Sequence, residues 1–393
     1  MLRKSRLFTP GPTPILPAAQ RAMASADMHH RTADFRALYQ KVLADLKTFV
    51  GTHSDVLLLS SSGTGAMEAA VTNLTSPGDR VLVVTAGKFG ERWRDLAKAF
   101  GCHVDLAEAP YGQAVSPDAV KAKLTSDTRV VFMQATESST GARHDVRAIA
   151  QLLKGSEALL VVDAITGLGT TKFDVDGWGI DVIIGGSQKA VMIPPGLAYL
   201  AVSERAWQRV ESSKQPRYYF DLKKERKAAG KGESAFTPAT SLIAALNAAM
   251  DYLREAGKGD LAAGRDALIE NAELSAEMTR AAAKALGLKL FAPDAPAAAL
   301  TAIVPPEGLD SSDIVKKFRD QFGAVVANGQ AEMKGKVFRI AHLGYYDYMD
   351  TMGVLAALEQ IMAGLGTGHL EFGFALRAAQ EVFARARSEK AHA

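Results

Sequence analysis

Short apolar runs rich in β-branched residues alternate with amphipathic stretches from about residue 56 to residue 202. The apolar runs span residues 56–59, 81–84, 130–133, 159–162, 182–184 and 197–202. Helical stretches at 64–74, 90–100 and 145–153 separate some of these runs. This alternation is typical of a mostly parallel sheet with helices on both faces. We therefore predict a doubly wound α/β domain.

The chain is too long for that domain alone. A single hydrophobic core rarely grows beyond about 250–300 residues, and this chain has 393. We predict an N-terminal arm at residues 1–16, a large domain at 17–255, a smaller α/β domain at 256–370 and a C-terminal helix and tail at 371–393. Strands of the smaller domain are expected near 299–304 and 337–341. A lysine-rich stretch at 223–231 is expected to be a mobile surface loop.

Composition excludes several classes of protein. The 46 lysines and arginines nearly balance the 43 acidic residues, which argues against a nucleic-acid or acidic-membrane partner. No stretch approaches about 20 uninterrupted apolar residues, so we expect no membrane span. The first nine residues lack the apolar core of a secretory signal, and we expect a cytoplasmic protein. Cys102 is the only cysteine, which excludes an intrachain disulfide and a cysteine-based metal site; no metal is expected.

The turn that follows the first run has the sequence Ser-Ser-Ser-Gly-Thr-Gly-Ala-Met-Glu over residues 60–68. Backbone N–H groups at the start of a helix lack partners within the helix and suit a phosphate. The hydroxyls of Ser62 and Thr64 would add donors. A tight turn that needs glycine only for its geometry is the alternative. A dinucleotide site is disfavoured, because Glu68 stands where the third glycine of that fingerprint would be.

Asp163 ends the apolar run at 159–162, at the position where ligands meet an open parallel sheet. Its carboxylate could pair with a cationic ring nitrogen, bind a metal ion or cap the following turn. The residue by itself does not decide among these three roles.

Lys189 lies in a short turn of small residues between two apolar runs. Apolar surroundings disfavour the charged ammonium group, which lowers the lysine pKa and makes the amine a usable nucleophile. Asp163 ends the preceding strand, so we expect both side chains in one crevice.

A phosphate turn, a strand-end aspartate and a turn lysine, in that order, are the groups that pyridoxal phosphate (PLP) requires. With these residues the chain resembles the class V aminotransferases of fold type I, and within them the alanine–glyoxylate, serine–glyoxylate and serine–pyruvate enzymes. The resemblance extends from the Thr-Pro-Gly-Pro-Thr-Pro arm at 9–14 to about residue 365. It implies PLP as the cofactor and a seven-stranded, mostly parallel sheet in the large domain.

The resemblance also implies a role for each matching residue. Lys189 would carry the cofactor and Asp163 would face the pyridine nitrogen, which makes both catalytic. Arg339 would grip the substrate α-carboxylate through its planar fork, and Gly11 would also lie at the substrate. Without the resemblance, Arg339 is as readily a surface charge. The other implied cofactor-binding residues are Ser62, Gly63, Thr64, Phe89 (stacked on the ring), Ser138 (in the substrate-side loop 137–141), Gln188 and Thr237 (from the neighbouring subunit of a homodimer with shared active sites).

The implied activity is transfer of an amino group from alanine or serine to glyoxylate or pyruvate. Phosphonate-type, phosphoserine-type and pyridoxamine–pyruvate aminotransferases differ from this in a few pocket residues and stay open. A cysteine desulfurase needs a nucleophilic cysteine in the C-terminal half, and Cys102 lies elsewhere. The resemblance includes proteins labelled as small subunits of soluble hydrogenases, but one cysteine cannot ligate an iron–sulfur centre. A nucleotide-dependent oxidoreductase and a non-catalytic protein that retains the fold are the alternatives from other classes.

Overall fold

The six apolar runs predicted as strands lie in one seven-stranded sheet. A computed structural model describes residues 3–25, 27–366 and 372–392. In chain order the elements are β1 (Arg6–Phe8), α1 (Pro17–Ser25), α2 (Ala33–Val50), β2 (Asp55–Leu59), α3 (Gly63–Leu74), β3 (Arg80–Thr85), α4 (Lys88–Ala99), β4 (His103–Glu108), α5 (Pro117–Lys123), β5 (Thr128–Gln134), β6 (Thr136–Glu137), β7 (Ala142–Arg143), α6 (Val146–Leu152), β8 (Leu159–Asp163), α7 (Val175–Trp178), β9 (Val182–Gly186), β10 (Ala198–Val202), α8 (Glu204–Ser212), α9 (Leu222–Ala229), α10 (Thr240–Ala256), α11 (Leu261–Ala285), β11 (Lys289–Leu290), β12 (Leu300–Val304), α12 (Ser311–Phe322), β13 (Ala324–Asn328), a 3-10 helix (Ala331–Met333), β14 (Phe338–Ala341), α13 (Tyr348–Gly364) and α14 (Phe374–His392).

The large sheet has the strand order β2-β10-β9-β8-β5-β3-β4. Neighbouring strands from β9 to β4 pair in parallel, whereas β10 is antiparallel to both β9 and β2. The predicted α/β fold with a mostly parallel seven-stranded sheet is therefore confirmed. The carboxyl ends of β2, β3, β5, β8 and β9 all lie on one edge, which is where ligands bind in such sheets.

Within the large sheet, the edge strand β4 is the one that the sequence did not predict. Within His103–Glu108 only Ala107 is buried. An edge strand has only one sheet neighbour and exposes part of its surface, so no continuous apolar run marks it.

Neighbouring residues of each central strand point to opposite faces of the sheet. Leu58 and Val162 pack in the core that α2 and α10 cover. Leu57 and Val161 pack in the opposite core, which α3, α4 and α8 cover. Both faces are buried, and this explains why the central strands read as unbroken apolar runs.

The second sheet has the order β1-β13-β14-β12-β11. Strand β1 pairs in parallel with β13, so residues 6–8 of the predicted arm belong to this sheet. The chain then returns to the large sheet, where the Leu16 amide donates to the Met192 carbonyl at 2.9 Å. The arm therefore bridges the two sheets. The domain boundaries at 16 and 255 stay predictions, and the one at 370 lies outside the described residues.

The prediction of a mobile surface loop at 223–231 is wrong, because helix α9 occupies most of it. Asp221 caps this helix by accepting hydrogen bonds from the amides of Lys223 (3.0 Å) and Lys224 (3.4 Å). Leu222 and Glu225 are buried. The dense positive charge suggested a solvated loop, but the aspartate cap and the buried face of the helix outweigh it. Within the described ranges, no helix combines the length and the apolar character needed to cross a membrane.

Candidate active site

The turn between β2 and α3 presents free backbone donors at the carboxyl edge. Ser62 holds the cap position of α3 in an extended conformation, and its side chain makes no capping hydrogen bond. The amides of Gly63 and Thr64 have no acceptor in the described chain. A Cβ at Gly63 would overlap Ile165 Cδ1, so glycine is required for this close approach. These amides form a cradle that suits an anion.

Asp163 is the last residue of β8 and is buried. Its Oδ1 accepts a hydrogen bond from the Ile165 amide at 2.9 Å. Burial raises the pKa of this carboxyl to about 6, while the Ile165 amide and the charge of Lys189 oppose the increase. Its second oxygen makes no hydrogen bond within the described chain, so it is available to a cationic partner.

Lys189 follows β9, and its side chain is buried, with 9% of its surface exposed. The amine donates a hydrogen bond to the main-chain carbonyl of Pro10 in the arm. Burial lowers the pKa of this amine to about 8; the charge of Asp163 opposes the decrease, and the charges of Arg339 and Arg92 add to it. The sequence predicted this desolvation from the flanking strands.

The arm fits closely over the lysine. A Cβ at Gly11 would lie 2.6 Å from Lys189 Nζ, and Gly11 has a φ of +134°, which only glycine adopts readily. Thr13 Oγ1 donates to the Lys189 carbonyl at 3.0 Å. Neither Pro10 nor Thr13 was singled out from the sequence, because nothing local marks a contact with a residue so distant in the chain.

Gln188, next to the lysine, carries a buried Oε1 atom without a hydrogen-bond partner. Buried polar atoms normally have a hydrogen-bond partner, so an unpaired buried oxygen at the carboxyl edge of the sheet fits a site that binds a polar ligand. Ser187 instead stabilises the turn, since its hydroxyl donates to the Pro194 carbonyl at 2.7 Å and accepts from the Leu197 amide at 3.1 Å.

Arg339 on β14 is buried, with 4% of its surface exposed, so it is not a surface charge. Its Nη1 donates to the Ser138 carbonyl at 2.7 Å, and its Nη2 and Nε donate to the Asn328 carbonyl at 2.6 and 3.2 Å. Burial lowers its pKa to about 10, and the guanidinium group stays charged at neutral pH. No carboxylate of the described chain lies within ion-pair distance of it. The fork is therefore held by neutral carbonyls and forms no ion pair within the described chain, although the charge of the nearby Glu137 opposes the decrease in its pKa.

Phe89 lies in the first turn of α4, and Arg92 lies one turn further along. The guanidinium group of Arg92 lies 4.8 Å from the centre of the Phe89 ring, and its Nη1 donates to Thr64 Oγ1 at 3.1 Å. Arg92 thus connects the predicted stacking ring with the anion cradle. Sequence reasoning missed it, although its place one helical turn after Phe89 was a usable signal.

Thr237 is a predicted site residue that is separate from the group of residues described above. It is exposed and makes no hydrogen bond to the residues above. Two residues later, the Ala239 amide donates to Ser60 Oγ at 3.1 Å, so this segment lies beside the turn that leads to α3.

The fold and the site define a PLP-dependent enzyme of fold type I, and the family comparison agrees. The Aminotransferase class-V family model matches residues 18–342, so the chain belongs to that family. The predicted family is thereby confirmed, and the chain is a PLP-dependent transaminase.

Three known proteins illustrate the range of its relatives. A protein of Anabaena cylindrica named soluble hydrogenase 42 kDa subunit is 40% identical over 386 residues, which cover 97% of this chain and 99% of that protein. The L-aspartate–glyoxylate aminotransferase of Paracoccus denitrificans is 34% identical and covers 97% of this chain and 96% of its own. The crystal structure of a subgroup IV aspartate aminotransferase from Thermus thermophilus superposes with a TM-score of 0.85 at 34% identity, covering 92% of this chain and 99% of that one.

The residues present fit PLP. The free amides of Gly63 and Thr64 would hold its phosphate, Asp163 would pair with its ring nitrogen and the Lys189 amine would bond its aldehyde. The orphan Oε1 of Gln188 supports the presence of a polar ligand at this edge. These roles are proposals that follow from the geometry.

Proposed function

We propose that this transaminase moves the amino group of alanine or serine to glyoxylate or pyruvate in two successive half-reactions. The observation that carries the proposal is the buried fork of Arg339, which forms no ion pair within the described chain and whose charge acts on the buried Lys189 amine. Donor and acceptor both carry an α-carboxylate, so one fork serves both half-reactions. The close approach of Gly11 to Lys189 leaves little room above the amine, which favours small side chains.

Each residue contributes a separate part of the chemistry. PLP, when bound, supplies the aldehyde that takes up the amino group and the ring that stabilises the electrons left at Cα. Arg339 fixes the substrate carboxylate and so orients the Cα–H bond, and orientation of this kind is worth several kcal/mol of the barrier. Lys189 Nζ, with its lowered pKa, would take the proton from Cα and deliver it to the carbon of PLP that carries the aldehyde, and would move it the opposite way in the second half-reaction. Asp163 keeps a positive charge on a ring nitrogen by opposite-charge pairing.

Aspartate is a second candidate donor. Arg92 is half-buried at the anion cradle and forms no ion pair with a described carboxylate. A second unpaired guanidinium group could bind the side-chain carboxylate of an acidic donor. Two of the relatives described above are named for reactions of aspartate, which supports including this donor in the test.

The soluble hydrogenase name of one relative does not change the proposal. This chain has a single cysteine, Cys102, which is buried. Iron–sulfur clusters are held by several cysteine thiolates, and one cysteine cannot supply them.

A survey of half-reactions tests the function directly. Purified enzyme loaded with PLP is mixed with each amino acid in turn, and the decay of its near-visible absorption band is followed. Alanine or serine should give the fastest decay, and the 2-oxo acid acceptor should restore the band. Lys189→Ala should lack the wild-type band. A wild-type protein that stays colourless with excess PLP would overturn the proposal.

A homodimer with shared sites is part of the proposal. Tyr218 is 74% exposed and packs against Phe236, next to the exposed Thr237. Exposed aromatic residues of this kind are typical of protein interfaces, and this surface adjoins the turn before α3. Sedimentation velocity should give twice the 41.8 kDa mass of one chain. A cytoplasmic location stays a prediction from the sequence.

A further inference from the structure

Helix α4, which carries Phe89, begins without a cap of its own. Its cap position is Gly87, which has no side chain to offer. The first N–H groups of a helix need acceptors from elsewhere. Here the Lys88 amide donates to Ser139 Oγ at 3.1 Å, and the amides of Phe89 and Gly90 each donate to Glu137 Oε2 at 3.1 Å.

Glu137 is fully buried and surrounded by donors. Besides the two helix amides, it accepts from the Ser139 hydroxyl (2.5 Å), the Ser139 amide (3.2 Å) and Gln134 Nε2 (3.1 Å). Every partner donates, which is the pattern of an ionised carboxylate. Burial raises the pKa of Glu137, and these hydrogen bonds oppose the increase. A Cβ at Gly87 would lie 2.5 Å from Glu137 Cδ, so the glycine makes room for the carboxylate.

The same loop holds the substrate-side arginine. Ser138, the neighbour of Glu137, accepts a hydrogen bond from Arg339 Nη1 through its carbonyl. Glu137 therefore anchors two parts at once: the helix that carries Phe89, and the loop against which the Arg339 fork rests.

We infer that Glu137 is a positioning residue for transamination, which sets the Phe89 ring and the Arg339 fork relative to each other without touching the substrate. This inference rests on the proposed function. An ionised carboxylate on the first amides of a helix is favourable by itself, so a purely structural role is the alternative to test against.

The chain offers a matched control in Glu359. This carboxylate is also buried, and it accepts from the amides of Gly373 (2.9 Å) and Ala375 (2.8 Å) at the start of α14. Glu137→Gln and Glu359→Gln each replace a buried carboxylate on helix amides by an amide of equal size. Both variants should lose thermal stability. Only Glu137→Gln should also alter the site.

Three readouts separate positioning from stability: the amount of near-visible band per chain, the circular dichroism of that band, and KM and kcat for the donor. For Glu137→Gln we expect the band to be retained, its circular dichroism to fall by roughly half or more, and KM for the donor to rise about tenfold, the loss expected for one charge-assisted hydrogen bond in the set. Glu359→Gln should match the wild type in all three.

If Glu137→Gln matches Glu359→Gln in circular dichroism and KM, the inference is wrong, even where the wild type transaminates. If Glu137→Gln does not fold, Ser139→Ala decides, since it removes only the hydroxyl that links the Lys88 amide to Glu137. We expect Ser139→Ala to change KM and circular dichroism in the same direction but less, and wild-type values for Ser139→Ala would then overturn the inference. A wild type without the band or a half-reaction refutes the proposed function instead.

Discussion

The amine of Lys189 donates a hydrogen bond to the main-chain carbonyl of Pro10, although 179 positions separate the two residues. Pro10 lies in the arm that bridges the two sheets, so the arm covers the reactive amine directly. This contact puts the lysine in a dry, narrow space, and its lowered pKa follows from that burial.

Attachment of PLP to the cofactor-free enzyme should follow the ionisation of Lys189. Only the uncharged amine is a nucleophile, so the rate constant should rise with pH, with a midpoint near the pKa of about 8, and level off above it. Asp163→Asn removes the negative charge that favours the ammonium form, so the midpoint should move below that of the wild type. Stopped-flow absorbance measures both curves. A midpoint near 10.5, the ordinary lysine value, would show that the amine is solvated.

Gly11→Ala should weaken PLP attachment by roughly tenfold or more, because the added Cβ meets Lys189 Nζ at 2.6 Å and the backbone conformation is strained. The matched control is Gly155→Ala, a glycine with a φ of +80° and nothing within 4 Å of its Cβ. Both changes add backbone strain, but only the first one reaches the lysine. Equal PLP dissociation constants for the two variants would contradict the close fit of the arm.

Arg339→Lys should raise KM for the donor by roughly 10- to 100-fold, because a point charge replaces the planar fork that forms two parallel hydrogen bonds to a carboxylate. The absorption spectrum of bound PLP should stay close to that of the wild type, since the residue rests on the carbonyls of Ser138 and Asn328. Steady-state kinetics and absorbance measure the two quantities. An unchanged KM would mean that the carboxylate binds elsewhere.

Asp221→Ala should loosen helix α9 without affecting catalysis. Loss of an N-cap aspartate costs about 1 kcal/mol, which corresponds to roughly fivefold faster opening of the helix. Hydrogen exchange followed by mass spectrometry should show protected amides in Leu222–Ala229 of the wild type and faster exchange in the variant. Full exchange in the wild type within seconds would show that this segment is a mobile loop, as the sequence alone predicted.

Much of the fold was predictable because the physical signal is local. Each buried central strand is an unbroken apolar run, and a residue that ends such a run in a parallel sheet must lie at the carboxyl edge. Asp163 and Lys189 were placed in this way, since β8 and β9 pair directly, with Asp163 opposite Ile184. Of the strands that the sequence missed, β4, β1 and β11 lie at sheet edges, and β13 lies inside the second sheet, where it is only partly buried.

The sequence by itself determined the α/β class, the order of the chemical groups along the chain and the family. These properties depend on hydrophobic periodicity and on which residue follows a buried strand, and both are visible in neighbouring residues. Only the tertiary structure decided that Arg339 is buried, that Pro10 covers Lys189 and that Glu137 caps the helix of Phe89. The contacts of Arg339 with Ser138, of Lys189 with Pro10 and of Glu137 with Gly90 each join residues at least 47 positions apart. No local sequence pattern predicts such a contact, because the contact forms only when the packed sheets bring the loops together.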